Sequence, residues 1–395
     1  MGSIISLGVG NLEIDWGKNH FFRDHSPLFL PGDVSDAPYY YADDVVERKP
    51  AYVRRLRSVV RRLEMLGYGL GGCREKYEEA VRSFPDWYDA PALSFDELLA
   101  ILSQVDVTHV GLLEHDGSED SLGRYVLDIL RDPEFVKSRP DLAGLDRDQG
   151  TFFENLDPYV VLRAVAENPA NMEADVIWRH MDVLEGGYVE SDEIYQGPSK
   201  SDKWLLVTEG SSDALILQNA LPVVAADVAD FFQFIDMSAN YPFTGTGNVF
   251  RFVQGLVRIH VLNKVVVVLD NDAAGRLAHD QITSLALPQN LKVTVLPDLE
   301  ECRAVRSIGP TGAVVCDVNG RATSIECFLD IWRSEERPTV RWTAFIPDVD
   351  AWQGEVVRKA EYTRDFLEAV RRGNRYDFSR LEMVWERLLR VCADA

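Results

Sequence analysis

Apolar and polar positions follow three different patterns along the chain. In the first 45 residues, apolar side chains recur at intervals of two or three and then give way to a loop rich in Pro, Asp and aromatic residues, which is typical of short strands and turns. From Cys73 to about Gly197, runs such as FDELLAILSQV carry apolar residues at helical spacing. The first pattern predicts a small β-containing region, and the second predicts a mainly helical one.

The third pattern begins after the polar segment ESDEIYQGPSKSD (190–202), which combines Gly, Pro, Ser and charge and is the best candidate for a domain boundary. Beyond it, short apolar runs such as WLLVT and VVVVL alternate with amphipathic stretches. A continuous apolar run suits a strand that is buried on both faces, and the intervening helices supply the cover. We therefore predict an α/β domain with a mainly parallel, doubly wound sheet.

The carboxy-terminal part contains one predicted strand, VRWTAFI, and two predicted helices at about 355–372 and 378–391. The chain is thereby predicted to have four segments. These are a β-containing N-terminal region (1–75), a mainly helical region (76–200), the α/β domain (201–335) and a helical C-terminal extension (336–395).

Three acidic residues follow strands of the predicted parallel sheet. Glu209 comes after WLLVT, and Asp270 and Asp272 come after VVVVL. Ligands of such sheets bind beyond the carboxyl ends of the strands, and Mg²⁺ prefers oxygen ligands of this kind. Gly210 lets the backbone approach an ion or phosphate closely, and Gly275 allows close packing at the start of the next helix. The pattern predicts a divalent-cation site.

These motifs carry a resemblance to a known family. VTEGSSD, followed about sixty residues later by LDNDAAG, resembles the Toprim domain of topoisomerases, bacterial primases and several nucleases. The resemblance implies that Glu209, Asp270 and Asp272 are catalytic and bind Mg²⁺ or Mn²⁺. The alternative is an α/β domain in which the three acids are coincidental.

Further positions resemble the overcoming-lysogenization-defect (OLD) nucleases within that family. Asp213 ends the EGxxD motif, and SIECFLD resembles a downstream acidic helix of those enzymes, which makes Glu326 a candidate ligand of a second metal, with Asp317 and Ser324 beside it. Lys359 resembles a catalytic lysine near the scissile phosphate, where its charge would offset developing negative charge. A surface lysine is the alternative for Lys359.

Two segments are candidates for binding the phosphates of a substrate. A basic amphipathic helix is predicted from about Ala51 to Leu66, and the seven basic residues between Arg48 and Arg62, with Arg54 and Arg61 among them, have no acid between them. Charge runs of this kind are more often solvated or paired with acidic neighbours. The loop TGTGN presents Gly245 and Gly247 before a helix and could offer backbone N–H groups to a phosphate, although a tight strand-to-helix connection explains it equally well.

The N-terminal part has its own resemblance. GNLEIDWGKN, HSPLF and YYYADDVVERKPAYVRRLRSVVRRLEMLGY are similar to the N-terminal domain of bacterial HEPN/Toprim-associated proteins, over roughly residues 1–75. No histidine of the chain has an arginine four to six residues upstream, so the HEPN ribonuclease motif is absent from the sequence. The association with interchangeable nuclease modules implies an antiphage or toxin-like system.

Charge and composition narrow the range of possible functions. The net charge of −23 opposes non-specific binding to nucleic acid, so we expect local contacts, an activating protein partner or a homo-oligomer. The five cysteines are far apart and show no zinc-ligand spacing, and no run of about 18 apolar residues or secretion signal occurs, so we expect a cytoplasmic protein.

These observations favour one function and leave alternatives. The leading hypothesis is a metal-dependent nuclease that hydrolyses phosphodiester bonds, with DNA preferred over RNA as the expected substrate. Strand transfer requires an active-site tyrosine on a separate DNA-binding domain, which is not recognisable here, and a primase usually carries a zinc module. A catalytically silent module that binds nucleic acid or a nucleotide is the alternative outside catalysis.

Overall fold

The computed structural model describes residues 6–15, 23–40, 45–84, 93–108, 152, 156–234, 246–310, 312–333, 337–373 and 375–393. The chain divides into two compact units, with the division between Ser199 and Lys200. Within the ranges just given, no helix is both long and apolar enough to cross a membrane.

The first unit contains a five-stranded antiparallel sheet. Its strands are β1 (Ser6–Val9), β2 (Leu12–Asp15), β3 (Val34–Tyr40), β4 (Val46–Arg55) and β5 (Asp175–Arg179). Their order in the sheet is β2-β1-β5-β4-β3. The α-helices of this unit among the described residues are α1 (Leu56–Met65), α2 (Leu70–Ser83), α3 (Phe95–Leu102), α4 (Pro158–Val165) and α5 (Met181–Glu185). The expected β-containing N-terminal region is confirmed.

Strand β5 brings distant parts of the sequence into this one sheet. It lies between β1 and β4, although it is more than 100 residues from either in the chain. The segment 76–200, expected to be mainly helical, therefore also supplies a central strand. The division that the sequence predicts at residue 75 does not coincide with a division of the sheet.

The predicted helix from Ala51 to Leu66 begins too early. Strand β4 continues to Arg55, and α1 starts at Leu56. Residues Tyr52–Arg55 pair antiparallel with Trp178–Asp175 of β5. Sheet pairing with a partner far along the chain thus overrides the local helical periodicity of these four residues, as tertiary context commonly does.

Trp178 on β5 lies in the core of the first unit. Its fully buried indole stacks with the rings of Tyr52 and Phe29, at centroid distances of 5.5 and 6.2 Å. Beside it, the buried His25 ring lies 3.1 Å from an Asp15 carboxylate oxygen and 3.2 Å from the Tyr159 hydroxyl. Burial lowers the pKa of His25, so this polar group is held within the core as part of the fold.

The second unit contains a four-stranded sheet in which every strand is parallel to its neighbours. The strands are β6 (Trp204–Thr208), β7 (Phe232–Phe234), β8 (Lys264–Leu269) and β10 (Leu291–Val295). Their order is β10-β8-β6-β7. The chain is thus a mixed α/β protein with a parallel sheet, as the alternating apolar runs predict.

Helices cover both faces of this sheet. The helices of the unit are α6 (Ser211–Val224), α7 (Thr246–Arg258), α8 (Ala273–Thr283), α9 (Lys359–Arg372) and α10 (Ser379–Ala393). On one face, Val265 and Val267 of β8 share a core cluster with Val249 of α7 and Ile282 of α8. On the other face, Arg387 of α10 donates a hydrogen bond to Thr294 of β10. This two-sided burial explains why VVVVL is apolar throughout.

A second sheet in this unit is formed by β11 (Val305–Gly309), β12 (Gly312–Cys316), β14 (Thr339–Ile346) and β15 (Ala351–Val356). The order is β12-β11-β14-β15. Two further short strands, β9 (Asn271–Asp272) and β13 (Ala322–Thr323), pair with each other. The strand expected at VRWTAFI is confirmed as β14. The helix expected from 355 starts only at Lys359, because residues up to Val356 pair with β14.

Candidate functional site

The parallel sheet brings two of the predicted acidic positions to the same edge. Glu209 follows β6, Asp270 follows β8, and these strands are neighbours in the sheet. The backbone N–H of Asp270 donates a 3.0 Å hydrogen bond to Oε1 of Glu209. The two side chains therefore lie together at the carboxyl ends of adjacent strands, where parallel sheets bind their ligands.

Asp272 is held by the start of the next helix and by a residue that the sequence does not single out. It is the N-cap of α8, and its Oδ1 accepts a 2.7 Å hydrogen bond from the Gly275 N–H. Its Oδ2 accepts a hydrogen bond from the side-chain amide of Gln353 on β15, whose Oε1 in turn accepts one from the Ala274 N–H at 2.9 Å. Gln353 thus fixes the orientation of Asp272.

Asp213 lies in the first turn of α6 and closes that turn. Its Oδ2 accepts a hydrogen bond from the Gly210 N–H at 3.0 Å, and the Ser212 hydroxyl lies 3.3 Å from its Oδ1. A Cβ added at Gly210 would meet Asp213 at 3.4 Å, an ordinary contact. Glycine at this position is therefore not required by packing, and its expected role in binding substrate remains a prediction.

Glu326 and Lys359 form an ion pair beside these acids. Glu326 lies in a short 3-10 helix, Ile325–Phe328, rather than in the longer acidic helix expected from SIECFLD. Its side chain is 2% exposed and accepts a 2.6 Å hydrogen bond from the Ser324 hydroxyl. The Lys359 Nζ lies 3.6 Å from Glu326 Oε2, while Asp317 is exposed and accepts hydrogen bonds from Asn319 instead.

Burial, together with mutual repulsion, raises the pKa values of Glu209, Asp213 and Asp270. Burial, followed by the charge of Asp272, raises the pKa of Glu209 to about 8. Burial, followed by the charge of Glu326, raises the pKa of Asp213 to about 7. For Asp270, burial and the charges of Asp213 and Glu209 raise the pKa well above its ordinary value. The acids are therefore close enough to act on one another as one cluster.

Lys359 is the cation of this cluster. Burial alone would lower its pKa, but the charges of Glu326, Asp270 and Asp213 outweigh that effect, so the pKa of Lys359 is raised. Burial likewise raises the pKa of Asp272. We refer to Glu209, Asp213, Asp270, Asp272, Glu326 and Lys359 together as the carboxylate cluster.

The cluster has oxygen ligands for a hard cation such as Mg²⁺, but they do not form a complete coordination shell. Within the described part of the chain, no three His, Cys, Asp or Glu side chains are arranged so that they could hold a metal ion as they stand. However, several partly buried carboxylates with raised pKa values are a set that a divalent cation would stabilise. Mg²⁺ needs few protein carboxylates because water and substrate phosphate complete its octahedron. The residues present therefore fit such an ion if water bridges part of the coordination.

Gly275 gives a first testable prediction about this geometry. An added Cβ would lie 2.1 Å from the Asp270 carbonyl oxygen and 3.1 Å from Oε1 of Glu209, which confirms the close packing expected at this glycine. We expect Gly275→Ala to lower the free energy of unfolding by about 2 kcal/mol or more, because the backbone at Asp270 or at the start of α8 must move to admit the Cβ. Chemical denaturation measures this.

The matched control is Gly255→Ala, in the middle of α7. A Cβ there meets nothing within 4 Å, so this change should raise the free energy of unfolding by about 0.5–1 kcal/mol through helix propensity. Equal effects of the two substitutions would contradict the close approach of α8 to the cluster.

A cleft of about 1140 Å³ opens beside the cluster. It lies between α6 and α9 and includes Glu326 and Lys359 in its lining. A ligand in this cleft would therefore reach the cation and at least one carboxylate of the cluster. The cleft gives the cluster an opening to solvent that can admit a substrate.

The predicted phosphate-binding residues belong to different elements of the two units. Gly247 is in the first turn of α7, whereas Gly245 lies outside the described residues. Arg54 and Arg61 both belong to the first unit. Arg54 is largely buried and pairs with Asp33 at 2.6 Å, and the nearby Arg62 is fully buried and donates to the Pro27 carbonyl. Much of this basic run is thus engaged within the fold.

Taken together, the chain is a mixed α/β protein with a partly buried carboxylate cluster at the edge of a parallel sheet. The family model HEPN/Toprim N-terminal domain 1 matches residues 1–202, just over half of the chain, so the chain belongs to this family. The expected N-terminal domain is thereby confirmed, and the match extends well beyond the expected residue 75. No curated protein and no solved structure matched the chain.

Proposed function

We propose that the second unit is a Toprim-type, metal-dependent nuclease whose site is the carboxylate cluster. The observation that carries the proposal is that Glu209, Asp270 and Asp272, the three acids of the Toprim-like motifs, lie beside neighbouring parallel strands with pKa values raised by burial. Structural ion pairs would lower those pKa values, whereas a site that awaits a cation keeps them high. The parallel sheet covered on both faces supports the doubly wound arrangement of that domain.

In this proposal the acids hold the ion and orient one another. Glu209, Asp270 and Asp272 would be its first ligands, and Asp213 and Glu326 are candidates for a second ion. A bound Mg²⁺ or Mn²⁺ supplies Lewis-acid stabilisation of the phosphate and a more acidic water. The side-chain amide of Gln353 donates a hydrogen bond to Oδ2 of Asp272, and the Asp270 N–H donates one to Oε1 of Glu209. Those contacts keep the carboxylates from turning away from the ion.

Lys359 has a separate role. Its side chain is 37% exposed and lines the cleft, although it is ion-paired with the buried Glu326. A phosphodiester in the cleft would bring a non-bridging oxygen within reach of this ammonium. A fixed positive charge at that position stabilises the negative charge that develops as phosphorus is attacked. Glu326 positions the lysine and does not need to touch the substrate.

The family gives the proposal its biological setting. The name of the N-terminal domain family links it to HEPN and Toprim modules, which supports a Toprim effector in an antiphage or toxin-like system. The net charge of −23 disfavours indiscriminate binding to DNA or RNA. We therefore propose that activity requires a specific substrate structure, an activating partner or a homo-oligomer.

The test is metal-dependent cleavage of plasmid, single-stranded DNA and RNA by the full chain. We expect at least one substrate to be cut with Mg²⁺ or Mn²⁺ and none with EDTA, and Glu209→Gln to lose the activity. The control is Asp280→Asn on α8, which removes a carboxylate that is 75% exposed and should leave cleavage unchanged. Cleavage that persists in Glu209→Gln would contradict the assignment of the site.

A further inference from the structure

The cleft beside the cluster continues along one face of α9. Lys359 begins this helix, and Arg364 and Arg371 also line the cleft. At a rise of 1.5 Å per residue, the distance along the helix from Lys359 to Arg371 is about 18 Å. The lining therefore extends well past the carboxylates, over a length that suits a few nucleotides of an extended strand.

The α9 wall of the cleft carries positive charge that is only weakly neutralised. Arg371 makes no ion pair with any residue that the structure describes, and the ion pair of Arg364 is with the adjacent, exposed Asp365 at 3.0 Å. Glu368 also lines the cleft, but it pairs with Arg372 at 3.2 Å. Exposed pairs of this kind are weak, so Arg364 is available to a phosphate at little cost.

The opposite wall carries no charged side chain and is partly apolar. It is formed by α6 and the end of β7, with Ala214, Leu215 and Phe234 in the lining beside the uncharged polar residues Ser211, Ser212 and Gln218. Leu215 is 40% exposed. One wall of the cleft thus offers cations and the other offers apolar surface, including one aromatic ring.

This asymmetry matches a single strand better than a duplex. An unpaired strand presents phosphates on one side and base faces on the other, and proteins bind it with a basic track and apolar or aromatic side chains. A duplex stacks its bases inside and presents only phosphates and groove edges. The apolar side chains of the α6 wall would then have no base to contact.

We propose that this cleft binds a single-stranded segment of the substrate, with phosphates on Arg364 and Arg371 and bases against Leu215 and Phe234. The strand would lead the scissile phosphate to Lys359. This proposal rests on the proposed function, because it takes the carboxylate cluster as the site of cleavage. It names the substrate class as single-stranded or locally unpaired nucleic acid.

Binding of a short fluorescent oligothymidylate in EDTA, followed by anisotropy, tests the cleft without cleavage. We expect Arg364→Ala and Arg371→Ala each to weaken binding by about tenfold. The double variant should also lower the slope of log K against log salt by about 1.4, since each phosphate contact on a single strand contributes about 0.7. Arg390→Ala is the control, because Arg390 is an exposed arginine of α10 outside the cleft and has no ion pair with a described residue.

Two results would overturn the cleft assignment. One is that the double variant binds the oligonucleotide as tightly as Arg390→Ala does. Absence of binding by the wild type, and hence by both variants, counts as the same result. The other is binding of the matching duplex as tight as that of the single strand.

Cleavage assays separate this proposal from the function on which it rests. If the wild type cuts and Asp270→Asn does not, but the double arginine variant binds and cuts normally, the nuclease site stands and the cleft assignment is wrong. If the arginines control binding but no metal supports cleavage, the cleft stands and the nuclease proposal is wrong.

Discussion

Replacing Asp270 by asparagine should abolish cleavage and at the same time make the metal-free protein more stable at pH 8. The loss of activity should be about a thousandfold or more, because a ligand of the proposed ion disappears. The gain in stability follows from relief of desolvation and repulsion, since Asp270 is partly buried and lies near Asp213, Glu209 and Asp272. We expect the free energy of unfolding to rise by about 1–3 kcal/mol.

The sign of the pH dependence makes this prediction specific. The folded pKa of Asp270 is raised above its unfolded value, so between those two values the folded state binds more protons than the unfolded state. Stability therefore falls as pH rises through that window, and the raised pKa values of about 8 for Glu209 and about 7 for Asp213 act in the same direction. The advantage of Asp270→Asn should be small at pH 5, where Glu209 and Asp213 are protonated and do not repel Asp270, and larger at pH 8.

Thermal unfolding in EDTA at pH 5 and pH 8 measures this difference. Asp280→Asn is again the control, because its exposed carboxylate should show no such pH-dependent gain. A variant Asp270→Asn that is less stable than the wild type at pH 8 would show that Asp270 has a structural role, and the cluster would not be a site kept ready for a cation.

Replacing Lys359 by methionine should have the opposite effect on stability. Without its ammonium, the buried Glu326 loses its ion pair and the remaining acids lose the charge that attracts them. We expect a loss of about 1–2 kcal/mol at pH 8, discounted because the lysine is 37% exposed. The loss should be smaller at pH 5, where more of the acids are neutral. Cleavage should fall by about a hundredfold to a thousandfold.

The control for Lys359 is Lys200→Met, at an exposed turn before β6. It removes the same charge from an exposed residue that does not line the cleft, and it should change neither stability nor cleavage. Lys359→Met that is neutral for both readouts would favour the alternative of an ordinary surface lysine. The free energy of unfolding at pH 8 should rise in Asp270→Asn and fall in Lys359→Met. These opposite signs distinguish an electrostatic effect from general disruption of the core.

The sequence predicts the position of Glu209 and Asp270 in the fold well, because strand burial leaves a clear pattern in the sequence. VVVVL is apolar throughout because both faces of β8 are covered, and the acids that follow such a run must lie at the edge of the sheet. The amino-acid pattern alone thus indicates that Glu209 and Asp270 lie at one edge. Lys359 and Glu326 are indicated only by a family resemblance, since no periodicity predicts their 3.6 Å ion pair.

The sequence does not predict the roles of Gln353 and the arginines of α9. A glutamine on a short strand carries no signal that its amide will orient Asp272, because β15 comes next to the cluster only through tertiary folding. Charge density in the sequence points to Arg54 instead, whose partner Asp33 lies 21 residues away in the chain. Arg364 and Arg371 are spaced by seven residues, two helical turns, so the sequence places them on one face of α9. It does not show that a cleft lies along that face.

Titration of the metal-free protein with Mn²⁺ at pH 7, by calorimetry in buffers of different ionisation heat, asks whether the carboxylate cluster binds a cation at all. We predict saturable binding with release of protons, because acids with raised pKa values must ionise to become ligands. Glu209→Gln and Asp270→Asn should weaken that binding by about a hundredfold or more. Absence of Mn²⁺ binding by the wild type, or binding that is unchanged in both variants, would contradict a metal-dependent site at this cluster.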